Sequence, residues 1–178
     1  MPISSKLPHV GTTIFTTMSK LATDCDAINL SQGFPGFDCD PTLVDLVTKY
    51  MKGGHNQYAP MSGVPILRER IAEKTKLVNG VELNSEKEVT VVSGATEAIY
   101  AAVTAVVKDG DEVILFDPAY DCYAPAIELN GGVPIFVPLE MPDFSVNWDK
   151  VKSSITEKTR LIMVNTPHNP SGYVWTQQ

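Results

Sequence analysis

Cysteine and histidine are scarce in this sequence, and neither residue type is arranged in a disulfide or metal-binding pattern. The 178 residues contain three cysteines and three histidines. They are Cys25, Cys39, Cys122, His9, His55 and His168. The cysteines are odd in number and irregularly spaced, with no Cys-x-x-Cys pair, and the histidines lack ligand spacing. We therefore expect reduced thiols and no metal site.

Long apolar runs are missing as well. No stretch approaches the ~18 apolar residues that a membrane span requires, and Met1–His9 has no apolar signal core. The formal net charge of −7 disfavours a general role on nucleic acid or on an anionic membrane surface. These features predict a cytoplasmic protein without a nucleic-acid or membrane partner.

The most informative stretch runs from Glu88 to Asp111. Val89–Val92 is a β-branched run typical of a buried strand, and the small residues Ser93–Thr96 follow it. Residues 97–107 are Ala-rich and predict a helix, with Thr96 able to cap its first turn. A strand, a turn and a helix start bring free backbone N–H groups to one point, where a phosphate binds readily. The plain alternative is a junction that binds nothing.

Two common nucleotide motifs are absent from this junction. No Gly-Lys-Ser/Thr of a Walker loop follows the turn, and the Gly-x-Gly-x-x-Gly of dinucleotide folds is missing. Binding of a phosphate group that belongs to a molecule other than a nucleotide remains an open alternative.

Apolar runs and helical patterns alternate along the chain. The predicted strands are 89–92, 112–116, 134–137 and 161–164, and the predicted helices are 13–22, 41–51, 64–78, 96–107, 120–129 and 149–155. Fully apolar strands between helices predict a mostly parallel sheet with helices on both faces. In such sheets, ligands bind beyond the carboxyl ends of the strands.

Chemically useful residues stand at those strand ends. The small-residue turn 93–96 follows the first strand, Tyr120 follows the second, and Asn165 and Asn169 follow the fourth. An anion site, a flat ring and an amide together suit a planar heteroaromatic ring that carries a phosphate. Pyridoxal phosphate is such a molecule.

Five motifs in order carry a family resemblance that covers nearly the whole chain from about residue 28. They are Ser31-Gln-Gly-Phe-Pro35, Asn56-Gln-Tyr-Ala-Pro60 with Gly63, Ser93-Gly-Ala-Thr-Glu97, Asp117-Pro-Ala-Tyr120 and Asn169-Pro-Ser-Gly172. The chain thereby resembles the fold-type I pyridoxal-phosphate enzymes, in particular the class I/II aminotransferases. It looks most like the bacterial methionine aminotransferases and their kynurenine aminotransferase relatives.

The resemblance implies roles for individual residues. The backbone amides around Gly94, Ala95 and Thr96 would bind the cofactor phosphate. Tyr120 would stack on the pyridine ring. The alternative is a half-buried tyrosine at the edge of the sheet that binds no ligand. Asn169 would donate a hydrogen bond to the ring oxygen and is also a candidate contact of the substrate carboxylate. The alternative for Asn169 is an ordinary Asn-Pro turn.

Further implied roles concern the substrate and a second subunit. Tyr58 would reach the phosphate of the neighbouring subunit in a homodimer, unless it is a packing residue. Gly33 would let the chain pass close to the substrate carboxylate, unless it belongs to a plain turn. Phe34 and Tyr123 are equally compatible with a substrate-pocket wall and with core packing.

The family's catalytic residues are not expected in these 178 residues. The Schiff-base lysine, the aspartate at the pyridine nitrogen and the arginine for the α-carboxylate belong beyond Gln178 in the family pattern. No lysine lies in the family's Ser-x-x-Lys context, so we nominate no catalytic residue. The resemblance therefore implies the N-terminal part of a longer enzyme. Residues 1–40 would form an arm and a small-domain segment, and residues 41–178 the first part of the large cofactor-binding domain.

The function implied by the resemblance is a pyridoxal-phosphate-dependent transfer of an amino group to a 2-oxo acid. The donor would be an amino acid such as methionine or an aromatic one. Two alternatives stay open: a pyridoxal-phosphate-dependent C–S lyase on the same fold, and a truncated subunit without catalysis.

Overall fold

A computed structural model describes residues 4–33 and 35–176 of the chain. These residues form six α-helices and three β-strands. In chain order the elements are α1 (Ile14–Asp24), α2 (Pro41–Lys52), α3 (Pro65–Asn79), α4 (Gly94–Val106), β1 (Glu112–Asp117), α5 (Tyr123–Leu129), β2 (Val133–Pro138), α6 (Trp148–Ser153) and β3 (Thr159–Ile162). No helix within these two ranges is long and apolar enough to cross a membrane.

Contacts divide the chain into two compact units. One unit is Gly11–Val91 and contains α1, α2 and α3. The other combines the residues before Gly11 with the segment from Val92 onward, and it contains α4, α5, α6 and the sheet.

The helix ends follow local signals in the sequence. Thr13 caps α1, and its side chain accepts a hydrogen bond from the Thr16 amide at 3.3 Å. Asp40 caps α2 in the same way, with the Thr42 amide at 2.8 Å. Gly80 ends α3 in the left-handed conformation. Five of the six predicted helices begin within two residues of their expected starts. The exception is α5, which begins at Tyr123, three residues after the predicted start.

The sheet has the strand order β2-β1-β3, and both pairings are parallel. Strand β1 is therefore central, with Ile114 opposite Ile135 on one side and Ile162 on the other. Because parallel strands run in the same direction, the loops that follow β1 and β3 leave from the same edge of the sheet.

Both faces of the central strand are covered. Val113 and Leu115 pack with Val103, Val107, Ala126 and Ile127, which come from α4, its end and α5. Ile114 and Phe116 point the other way and pack with Val137, Leu139 and Val151, the last of which lies in α6. The prediction of a parallel sheet with helices on both faces is thus confirmed for these three strands.

The predicted strand at Val89–Val92 is not formed within the described residues. Val89 is buried as its apolar character predicts, but the Val91 amide donates to the Ser62 carbonyl at 3.0 Å, outside any ladder. A strand requires a neighbour to pair with, and the described residues offer none to this run. The run is therefore extended backbone without strand pairing.

We predict that Gly132→Ala destabilises the sheet unit by about 1–3 kcal/mol through overpacking. Gly132 is buried, and an added Cβ would lie 2.6 Å from Val107 Cγ1 and 2.8 Å from Ile127 Cγ2. Gly11→Ala is the control, because no described atom lies within 4 Å of its added Cβ. Urea unfolding of the full-length protein measures both variants. Equal midpoints for the two would contradict the steric argument.

Candidate functional site

The turn before α4 has a defined backbone geometry. Ser93 has φ −80° and ψ 71°, and the Gly94 amide donates to the Val92 carbonyl at 2.9 Å, which is an inverse γ-turn. Gly94 follows with φ +87°, a conformation that L-residues with a side chain rarely adopt. Helix α4 begins at this glycine. The prediction that Thr96 caps this helix is wrong, because the turn places Thr96 already within the first helical turn.

The start of α4 presents free amide donors. The helix has no side-chain cap, and the described residues offer no acceptor to the N–H groups of Ala95 and Thr96. Gly94, Ala95 and Thr96 are all exposed, and no described atom lies within 4 Å of a Cβ built on Gly94. Glu97 accepts from the Ser93 amide, so that one donor is occupied. An anion can thus reach two unpaired amides at the positive end of a helix.

A cavity of about 520 Å³ is lined by residues of α4 and α5 and by Ser93 and Cys122, which precede them. Burial and the Asp121 carboxylate raise the pKa of the Cys122 thiol, while the Thr96 side chain acts in the opposite direction. The residues that line this cavity include neither Tyr120 nor Asn169. This cavity therefore does not bring Thr96 together with Tyr120 or Asn169.

Tyr120 lies in the loop that follows β1 and is half-buried. Its ring contacts the Tyr123 ring edge-to-face, with centroids 5.7 Å apart and an interplanar angle of 72°. Tyr123 packs against the core cluster on the α4 and α5 side, and burial raises the pKa of its hydroxyl. Of the two alternatives for Tyr123, the structure favours core packing. The Tyr120 ring thus contacts a ring that is itself packed against the core.

Asn169 lies in the loop that follows β3. The strand pairing continues one residue further, because the Met163 amide donates to the Ile114 carbonyl at 3.0 Å. The Asn165 side-chain oxygen then accepts from the Asn169 amide at 2.7 Å. The Asn169 side chain itself is exposed and makes no hydrogen bond to another described residue. Asn165 therefore fixes the backbone of this loop and leaves the Asn169 amide group available to a ligand.

His168 is buried in the loop that carries Asn169, and sequence reasoning missed this position. Its side chain is only 5% exposed, and Nδ1 lies 2.7 Å from Ser171 Oγ. Burial lowers the pKa of the imidazole below its ordinary value of 6.5, and the Pro118 backbone carbonyl acts in the opposite direction. The signal in the sequence was a histidine directly before the candidate site residue Asn169, and this histidine was considered only as a metal ligand.

Gly33 and Tyr58 lie in the other compact unit. The Tyr58 side chain is fully exposed, and no described atom lies within 4 Å of a Cβ built on Gly33. Tyr58 is therefore not a packing residue in the described part of the chain, and the space beside Gly33 is open. Phe34, a candidate for the substrate-pocket wall, lies outside the described residues.

Gly63, in the motif that carries Tyr58, has a steric explanation. Its φ is +102°, and an added Cβ would lie 2.7 Å from Val91 Cγ2. The Gly63 amide closes a turn onto the Pro60 carbonyl at 2.8 Å. Glycine is thus required where this loop packs against the extended run ending at Val91.

The described residues fit pyridoxal phosphate in part. The start of α4 supplies two unpaired amides and open space above Gly94, which suit a phosphate. The edge formed by the loops after β1 and β3 supplies a half-exposed aromatic ring, Tyr120, and an unpaired amide side chain, Asn169. A planar ring with a polar substituent can use both.

Comparisons with known proteins point to one family. The model of the family described as aminotransferase class I and II matches residues 26–178. A methionine aminotransferase of Escherichia coli strain K12 is 54% identical over 173 residues, which are 97% of this chain and 45% of that protein. A probable N-succinyldiaminopimelate aminotransferase of Mycobacterium tuberculosis is 42% identical over 96% of this chain and 43% of its own length.

Solved structures give the same result. The structure of an E. coli protein identified as a methionine aminotransferase superposes with a TM-score of 0.96 at 52% identity. The match covers 99% of this chain and 46% of that one. The chain therefore spans slightly less than half the length of the relatives it matches.

We predict that His168 makes stability fall below neutral pH. Since its pKa is lowered in the folded state, the unfolded state binds more protons between the folded value and about 6.5. Its neutral form therefore supports the fold fully above about pH 6.5, and that support declines as pH falls from there to the folded value. Thermal midpoints from pH 7.5 to 5.0 should fall more steeply for the wild type than for His168→Asn. Parallel curves would show that His168 is not buried in its neutral form.

Proposed function

The chain belongs to the class I and II aminotransferases, and we propose that it supplies the phosphate-binding turn and the ring-binding edge of a pyridoxal-phosphate-dependent aminotransferase. The observation that carries this proposal is the uncapped, exposed start of α4, where Gly94 with φ +87° precedes the unpaired amides of Ala95 and Thr96. A phosphate neutralises the positive end of the helix and accepts from both donors.

Each proposed site residue holds or orients the cofactor. The turn at Gly94 orients the phosphate and thereby fixes one end of the cofactor. Tyr120 covers one face of the ring and excludes water from it. Asn169 donates a hydrogen bond to the ring oxygen and is placed to contact the substrate carboxylate. Pyridoxal phosphate, when bound, supplies an electron sink for the negative charge that develops at the substrate α-carbon. The proton transfer itself requires a lysine that we do not assign to any described residue.

A second subunit is part of the proposal. Tyr58 is fully exposed on a loop that Gly63 fixes against Val91, so its hydroxyl is available to a neighbouring copy. We infer that it reaches the phosphate of that copy in a homodimer, and that Gly33 lies near the substrate carboxylate. Residues 1–40 would form the arm and small-domain segment, with residues 41–178 in the large domain of a cytoplasmic enzyme.

For the substrate, we propose methionine or an aromatic amino acid as donor and a 2-oxo acid as acceptor. The support is the 54% identity to a methionine aminotransferase. The relative at 42% identity is named for N-succinyldiaminopimelate, so membership of the family does not by itself fix the donor.

We predict that the full-length enzyme, meaning this chain with the part that its relatives have in addition, transfers the amino group of methionine to a 2-oxo acid. Residues 1–178 alone should show no turnover, because a proton-carrying group commonly contributes ~10²–10⁴-fold and the family's lysine is not among them. Coupled assays of amino-acid formation test both proteins. A C–S lyase would instead release ammonia and an oxo acid without an acceptor. Turnover by the 178 residues above a cofactor-only control would refute the assignment.

We predict that Gly94→Ala weakens cofactor binding by about tenfold, which corresponds to ~1.4 kcal/mol. The added Cβ strains a backbone with φ +87° and occupies the space that a phosphate would use. Gly110→Ala is a matched control, since Gly110 has φ +78° and its added Cβ also meets no described atom within 4 Å. Both variants should lose similar stability. Absorbance titration of the full-length enzyme with pyridoxal phosphate measures the affinity, and equal affinities for both variants would remove Gly94 from the site.

A further inference from the structure

We propose that Glu97 is a positioning residue of the phosphate site, whose carboxylate holds the turn before α4 in the shape that presents the Ala95 and Thr96 amides. This inference rests on the function proposed above. It assigns a role to a side chain that makes none of the proposed cofactor contacts.

The carboxylate of Glu97 is bound to the backbone of the turn. Its Oε2 atom accepts a hydrogen bond from the Ser93 amide, four residues earlier in the chain. Both residues are exposed, and Glu97 is the acidic residue in the first turn of α4. A negative charge at this position also interacts favourably with the positive end of the helix. Glu97 therefore connects the first helical turn with the residue that directly precedes the helix.

This arrangement is one half of a capping box. In a complete capping box, an acidic side chain of the first helical turn accepts from the N-cap amide, and the N-cap side chain accepts from an amide of that same turn. The first bond is formed here, from the Ser93 amide to Glu97. The second is not formed within the described residues, because the side chain of Ser93, the N-cap residue, makes no capping hydrogen bond. The bond that fixes the turn is therefore present, and the bond that would occupy a phosphate-binding amide is not.

The amides of the turn thus divide into two pairs. The Ser93 amide donates to Glu97, and the Gly94 amide donates to the Val92 carbonyl at 2.9 Å. The next two amides, of Ala95 and Thr96, have no acceptor among the described residues. Two donors shape the turn, and the two that follow are left for an anion.

The negative charge of Glu97 makes a positional role distinguishable from an electrostatic one. A carboxylate near the helix start repels a phosphate bound there, since like charges at short distance disfavour each other. Charge alone therefore predicts that removal of Glu97 strengthens cofactor binding. A positional role predicts the reverse, because a turn without this hydrogen bond is no longer preorganised for the ligand.

Two substitutions of Glu97 separate these roles. Glu97→Gln removes the charge and keeps a side-chain oxygen that can accept from the Ser93 amide. Glu97→Ala removes both the charge and the acceptor. Asp149→Ala is the control, because Asp149 is an acidic residue in the first turn of a different helix, α6. Its loss shows whether removal of such a residue alters cofactor binding through stability alone.

The experiment is an absorbance titration of the full-length enzyme with pyridoxal phosphate, with thermal midpoints measured for each variant. We expect Glu97→Ala to raise the cofactor dissociation constant about 3- to 10-fold, the effect of about one lost hydrogen bond. We expect Glu97→Gln to bind within about twofold of the wild type or more tightly, and Asp149→Ala to remain within about twofold. Equal dissociation constants for the two Glu97 variants would overturn the proposal, and so would tighter binding by Glu97→Ala than by the wild type.

A double-mutant cycle adds a readout that loss of stability alone does not move. If Glu97 acts by holding the turn, then Glu97→Ala should change the dissociation constant less than about twofold in a Gly94→Ala background, where the turn is already strained. The same fold-change in both backgrounds would show that Glu97 does not act through the turn. A wild-type enzyme that binds no pyridoxal phosphate would refute the proposed function and this inference together. Normal wild-type binding with unaffected Glu97 variants would refute the inference alone.

Discussion

Burial of β1 between two apolar layers is the constraint on which the sheet unit depends. Val113, Ile114 and Leu115 are 0% exposed, and alternate residues of the strand enter opposite core clusters. A strand buried on both faces must satisfy its backbone on both edges, which the parallel neighbours β2 and β3 do. Parallel pairing then sends the loops after β1 and β3 out at one edge. The position of the Tyr120 and Asn169 loops at one edge of the sheet is a consequence of this packing.

The proposed cofactor contacts use two different kinds of backbone support. The start of α4 offers amide donors because the turn at Gly94 leaves the helix uncapped. The sheet edge offers side chains, and the loop that carries Asn169 is held by the hydrogen bonds of Asn165 and His168 within it. Both supports are formed by residues of one compact unit. The chain matches 45% of the length of its E. coli relative.

The sequence predicted what depends on composition and missed what depends on long-range packing. The apolar runs at 112–116 and 134–137 are strands to within a residue at each end, because such runs are stable only when buried. The apolar run 89–92 has no strand partner among the described residues, and composition alone does not supply one. Thr96 was predicted to cap α4, but the helix begins two residues earlier, at Gly94, whose φ is positive. His168 carried no periodicity or ligand spacing, and its burial and its hydrogen bond to Ser171 depend on how the loop after β3 folds.

The central claim is that the start of α4 binds the cofactor phosphate. A crystal structure of the full-length enzyme with pyridoxal phosphate tests it most directly. The account predicts phosphate oxygens within about 3 Å of the Ala95 and Thr96 amide nitrogens, with the Tyr120 ring stacked on the pyridine and Asn169 bonded to the ring oxygen. A phosphate bound away from the start of α4, with those two amides facing only water, would contradict it.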